Sequence, residues 1–215
     1  LYFMRRLLPK VGVTEDQRYT VSQPLIATAN PHLLRLPLTD RVRECFLAWR
    51  DQGMWHELPQ LVAYESGINL DYDPSKEFVR VRNVVLEHIA AQPHEWIDLD
   101  DLVEDVREED YGFLFPKRSF NSYYGRRYDT PYNGRNNVYR VSFEGISSEE
   151  SGWNIVEVDL INHIIAGPLF WLGLVDLGYI KEPPVDLKGN KRIEGFCLTP
   201  YGRWLIKNAP KPDTT

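Results

Sequence analysis

Apolar residues recur along this chain at helical spacing, in blocks separated by stretches rich in Pro, Asn, Gly and Tyr. The first clear block is Val42, Cys45, Phe46 and Trp49, whose i, i+3, i+4, i+7 spacing puts one apolar stripe on a helix. Thr39 and Asp40 just before it read as an N-cap and a first-turn acid, and Gly53 as the stop. A second helical stretch is expected over residues 55–65, followed by a loop over 66–73 where Gly67, Asn69 and Asp73-Pro74 favour turns. From Ser75 the helical pattern returns, with Phe78, Val81, Val84, Val85, Leu86 and Ile89 forming a wide stripe. Gln92-Pro93 ends it, because a residue before proline is pushed out of the helical region. Trp96-Ile97 predicts a very short strand, after which Asp98 or Asp100 caps an acidic helix running to about Arg107.

The flanking segments read differently. Residues 18–23 and 32–38 predict two short strands, with Pro24 and Asn30-Pro31 between them. Residues 111–152 are too long for an ordinary connection and predict an insertion, inside which residues 138–143 alternate like a strand. Toward the C-terminus, residues 156–166 predict a helix, Gly167-Pro168 a break, and residues 169–177 a second helix with Gly178 as its C-terminal cap. Tyr179-Ile180 and residues 193–198 predict a hairpin whose polar tip holds Pro183-Pro184 and Gly189-Asn190. Thr199-Pro200 starts a closing helix over residues 201–207.

Helix, helix, hairpin, helix is winged-helix order. Leu38-Thr39 followed by Arg43 is echoed by Leu198-Thr199 followed by Arg203, each after a predicted hairpin. The expected fold class is therefore mainly α (α+β): tandem winged-helix modules with short hairpin wings, the second carrying the long insertion. The expected division is residues 4–73 and 74–215, with Leu1-Tyr2-Phe3 read as the remnant of a cleavable tag.

Charge and cysteine content narrow the chemistry. A net charge of −6 argues against a surface that coats nucleic acid everywhere, though not against a local basic patch. Cys45 and Cys197 each sit beside a Phe and read as buried free thiols, which fits a reducing, cytoplasmic setting. The most apolar stretch, residues 161–175, is shorter than the roughly 20 residues a bilayer requires, so no membrane partner is expected. None of the five histidines has a zinc-ligand spacing; His56-Glu57 fails because Gln60 stands where the second His is needed. No phosphate-cradling or nucleophile motif is present, so neither metal, cofactor nor catalytic residue is expected.

Two segments are candidates for binding. The first is basic and aromatic: Lys117, Arg118, Tyr123, Tyr124, Arg126, Arg127 and Arg135, with Arg140, Tyr128, Tyr132 and Tyr139 around them. Arg and Lys contact phosphates and Tyr stacks on unpaired bases, so this segment reads either as a single- or double-stranded DNA contact or as a solvated loop. Lys188, Lys191 and Arg192 at the wing extend the same choice. The second is the acidic run over residues 98–110, either a solvated helix face or a surface for a protein partner. A base-reading helix carries Arg, Lys, Asn or Gln toward the groove, whereas residues 156–177 contain no Lys or Arg. The expected function is a non-catalytic nucleic-acid-binding accessory or regulatory module, with a protein-interaction scaffold lacking direct DNA contact as the alternative.

Residues 81–92, the string Trp96-Ile97-Asp98-Leu99-Asp100-Asp101-Leu102-Val103, the string Gly167-Pro168-Leu169-Phe170-Trp171-Leu172-Gly173-Leu174-Val175-Asp176-Leu177-Gly178 and Leu198-Thr199-Pro200-Tyr201-Gly202-Arg203 together carry a resemblance. They resemble the helicase-associated winged-helix domains of bacterial proteins related to the N-terminal region of XPB-type helicases. The resemblance covers residues 78–206 without the 111–152 insertion and implies an accessory, DNA-associated role. The matching residues are core and capping residues, and helicase ATPase motifs are missing, so motor activity does not carry over.

Overall fold

The computed structural model describes residues 2–14, 31–51, 57, 61, 64–67, 75–114, 127–131, 138–143, 149–179 and 192–213. The fold is mainly helical, α+β. In chain order it comprises α1 (Tyr2–Lys10), a 3-10 turn (His32–Arg35), α2 (Leu38–Asp51), β1 (Tyr64–Gly67), α3 (Ser75–Ala91), β2 (Trp96–Asp98) and α4 (Leu99–Glu109). Then follow β3 (Arg127–Pro131), β4 (Val138–Phe143), a long helix over residues 149–171, β5 (Val175–Gly178), β6 (Gly195–Leu198) and α7 (Pro200–Lys207). The long helix joins α5 (Glu149–Gly152) and α6 (Val158–Ile164) through two π-helical stretches, Trp153–Glu157 and Ile165–Leu169.

The strands make two antiparallel sheets, ordered β1–β4–β3 and β2–β6–β5. In the second sheet Ile97 lies opposite Phe196 and Leu177 opposite Phe196 from the other side, so these three share the inner face. Below them the apolar stripes of α3 (Phe78, Val81, Val85, Ile89), α4 (Leu99, Leu102, Val106) and the long helix (Trp153, Val156, Leu160, Ile164) are fully buried. Phe46 and Trp49 of α2 belong to the same core cluster, so both sides of the expected boundary at residues 73/74 feed one core. β1, from the first segment, also pairs with β4 from the second.

Several helix boundaries follow the sequence reading. The Asp98 side chain caps α4 by accepting from the Asp100 and Asp101 N–H groups. Thr199 caps α7 through Gly202 N–H, with Pro200 in the first turn. The Thr199 hydroxyl also donates to Gly173 O at 2.7 Å, and Leu174 O accepts from Thr199 N–H. Gly202 sits so close to this turn that a Cβ there would lie 2.0 Å from Leu174 O. Only glycine lets α7 close onto the end of the long helix.

Other expectations are corrected. Residues 32–35 form a 3-10 turn rather than a strand, because Pro31 O accepts from Leu34 N–H and turns the chain. Thr39 is buried inside α2; the first backbone bond of the helix ends on Pro37 O, so Thr39 is not the cap. Glu57 and Leu61 lie in bends and Tyr64–Gly67 is a strand, so the helix expected over residues 55–65 does not form at these positions and the loop expected from Ser66 starts late. Within residues 111–152, Phe113 and Leu114 are core rather than insertion, and Arg127–Pro131 pairs with β4 as an unforeseen strand. The expected strand at residues 18–23 lies outside the described residues.

Gly167-Pro168 does not break the long helix. In a regular α-helix Pro168 would lack its N–H and press on the Ile164 carbonyl. The wider π turn over Ile165–Leu169 relieves both problems, and helical geometry continues to Trp171. The helix ends at Gly173, whose φ of +71° is the left-handed cap expected instead at Gly178. Residues 175–178 are consequently strand, not helix, and the hairpin starts earlier than expected; Tyr179 already lies beyond β5. Phe3, the last of the three residues read as a tag remnant, is buried against Trp171 at 5.3 Å between ring centroids and belongs to the core.

Candidate functional site

The acidic run folds as α4. Its apolar stripe faces inward while Asp100, Asp101, Glu104, Asp105, Glu108 and Glu109 are exposed. Several acids have local partners: Asp105 accepts from Gln92 at 2.5 Å, and Asp110 meets His88 Nε2 at 3.0 Å. Arg107 is 4.0 Å from Glu104, 3.8 Å from Glu150 and lies over the Trp153 ring at 5.7 Å. The face as a whole remains acid-rich.

The long helix that precedes the β5–β6 hairpin carries no Lys or Arg; of its acids Glu150 is exposed, Asp159 half-buried and Glu157 fully buried. Most of it is core. Asn162 uses its side-chain carbonyl to accept the Ile193 N–H at 3.2 Å, tying the hairpin to the helix. At its C-terminal end Phe170 and Trp171 are half exposed.

Of the ten basic and aromatic candidates, two fall on described residues. Arg127 opens β3 opposite Ser142. Arg192 is exposed at the base of the hairpin and donates to the Asp100 carboxylate, so it is held on α4. Lys117, Arg118, Tyr123, Tyr124, Arg126, Arg135, Lys188 and Lys191 lie outside the described residues. Cys45 and Cys197 are free and half-buried rather than buried. Burial, and next the neighbouring Glu44, pushes the Cys45 thiol pKa up. Among the described residues no group of three or more His, Cys, Asp or Glu side chains is placed to hold a metal, and no helix is long and apolar enough to cross a membrane.

Two arrangements escape the sequence. The first is the buried cluster between α2 and α3. Arg82 is fully buried, with Nε 2.8 Å from Glu57 Oε1 and its NH2 group 3.2 Å from Oε2. It donates again to Trp49 O at 2.7 Å, and its guanidinium lies over the Trp49 ring at 5.4 Å. Trp49 Nε1 donates to the same Glu57 at 3.1 Å. Position 82 inside the apolar stripe of α3 is the one signal the sequence offers. The second is Trp96, whose indole reaches across the outer face of the β2–β6–β5 sheet. A Cβ at Gly178 would lie 2.1 Å from its Cη2, and one at Gly195 would lie 2.8 Å from its Cζ2. These glycines are directly opposite each other in the hairpin. Trp96 is 45 % exposed.

A cleft of about 280 Å³ opens nearby, lined by Pro93, His94, Glu95, Leu198, Arg203 and Lys207. Its cations are engaged: Arg203 donates to Leu198 O at 2.8 Å and lies 3.9 Å from Glu95, and Lys207 donates to Gln92 O. It is small against the roughly 300–1,000 Å³ usual for ligand pockets. No family model matches the chain, nor does any curated protein or solved structure.

Proposed function

We propose that residues 75–207 form a winged-helix unit that serves as a non-catalytic protein-docking scaffold, with α4 and the hairpin sheet as its working surface. The winged-helix reading rests on the order α3, β2, α4, long helix, β5, β6, with β2 joining the hairpin beside β6. The choice of a protein partner over duplex DNA rests on one observation. The elements that would face a major groove are acidic: the exposed face of α4, and a long helix without Lys or Arg. Duplex DNA carries one negative charge per roughly 1.7 Å of axis, so such a face repels it and favours a basic partner.

A second reading keeps nucleic acid as a partner through a separate surface. It is favoured by the basic and tyrosine-rich composition around β3 and β4, including Arg127 and Arg140. A panel of labelled single- and double-stranded DNAs, titrated at low and physiological salt, decides between them. The docking reading expects no saturable duplex binding at physiological salt. Tight binding that is lost in the Arg126→Ala/Arg127→Ala variant would overturn it in favour of the second.

A further inference from the structure

This protein repeatedly builds one motif: an indole with a cation over its face and a carboxylate beside the cation. Arg82 lies over Trp49 against Glu57. Arg107 lies over Trp153 near Glu104 and Glu150. Lys211 lies 5.5 Å over Trp204 and 2.6 Å from Asp40. Trp96 has the indole and the carboxylates but, among the described residues, no cation over its ring.

The geometry around Trp96 is built for such a guest. A Cβ at Gly178 or Gly195 would collide with the six-membered ring of Trp96, so nothing larger than glycine fits at either position while the ring stays there. Asp176 shares the outer face of the sheet, because it lies opposite Cys197, which in turn lies opposite Trp96. Asp176 is also two residues from Gly178 on β5 and is exposed, so it stands on the side of the sheet that carries the indole. Glu194 is exposed beside Gly195. Arg192, at the base of the hairpin, is held by Asp100 on α4. A half-exposed indole with a carboxylate on the same side of its sheet suits a planar guanidinium, which stacks on a ring while its edge takes a carboxylate in bidentate fashion. The same acids oppose an unpaired base, whose phosphates they would repel.

We infer that Trp96, on its Gly178–Gly195 seat, with Asp176 on the same side of the sheet and Glu194 next to Gly195 in the chain, is the receptor for an arginine side chain of a partner polypeptide. This rests on the protein-docking reading and gives that reading its anchor residue. The probe is a short labelled peptide alternating arginine and serine, compared with its lysine counterpart and with oligo-deoxythymidine, titrated by fluorescence anisotropy at low salt.

The arginine peptide is expected to bind, and to bind tighter than the lysine peptide. Trp96→Ala should weaken it by about threefold to thirtyfold and erase the arginine preference. Gly178→Ala, which evicts the indole from its seat, and Asp176→Asn/Glu194→Gln, which leaves the sheet intact, should weaken it in the same direction. Melting curves identify any variant that has unfolded, and the carboxylate variant is read if Trp96→Ala has. Binding that is unchanged in the carboxylate and Gly178→Ala variants but abolished by Asp101→Lys/Glu104→Lys on α4 overturns the Trp96 site and leaves the docking reading standing. Binding of oligo-deoxythymidine in preference to both peptides overturns both.

Discussion

The α2–α3 junction and the outer face of the β2–β6–β5 sheet hold the same chemical groups in opposite states. At the junction Arg82, Glu57 and the Trp49 ring are sealed from water, and every arm of the guanidinium is directed at a partner. On the sheet, Trp96 and Asp176 face solvent. A buried charge pair is sustained only by complete pairing, since breaking it leaves an uncompensated charge in the core. An exposed one gains little by being complete. The junction is therefore a structural element that fixes how α2 meets α3, and the sheet face is an exposed surface, the one proposed to take a guest.

The sharpest way to break that contrast is Arg82→Ala. It leaves Glu57 charged and buried, and a loss of about 3–5 kcal/mol in urea unfolding is expected. Replacing both partners, Arg82→Met with Glu57→Leu, should recover much of the loss; if the double variant is no more stable than the single one, the pair has a role beyond neutralising itself. Gly202→Ala comes next. Helix propensity favours Ala by about 1 kcal/mol, but the added carbon meets Leu174 O, and overpacking of this kind costs about 1–3 kcal/mol. The same substitution at Gly178 meets only the mobile end of the Trp96 side chain, so a smaller drop in melting temperature is expected than for Gly202→Ala. Thr199→Ala removes the α7 cap and should cost about 1 kcal/mol in the same assay.

At the small end, Asp100→Ala breaks an exposed pair with Arg192 and should change stability by less than about 1 kcal/mol. Cys45 gives a pH readout. Its raised pKa keeps the thiol protonated, so at mildly alkaline pH it should be alkylated more slowly than a free cysteine in a short peptide. The sign for stability follows: the fold favours the neutral thiol, so that contribution is fully present below the ordinary thiol value and is lost as pH rises from there through the raised one. Mass-spectrometric alkylation rates across alkaline pH check the order.

Periodic apolar spacing made α3, α4 and the closing helix legible, and the caps at Asp98 and Thr199 were legible because each pairs a side-chain acceptor with the N–H groups two or three residues on. Pro168 misled because its cost in a helix assumes α geometry, which the π turn replaces. Thr39 misled because its sequence context matches that of Thr199 while a proline carbonyl takes the first helical bond. The Trp96 seat was not legible at all. It needs the pairing of Gly178 with Gly195 across a hairpin and a third strand from far upstream, and nothing local encodes that.

On the proposed reading, α4 and the hairpin sheet receive a basic polypeptide rather than duplex DNA. The most direct measurement titrates the protein at low salt against labelled duplex DNA and, in parallel, against the labelled arginine–serine peptide. Saturable binding of the peptide that weakens in Asp176→Asn/Glu194→Gln is expected, with no saturable binding of the duplex. Duplex binding with a steep salt dependence, weakened by substitutions on α4 or the hairpin base while the peptide shows none, would contradict it.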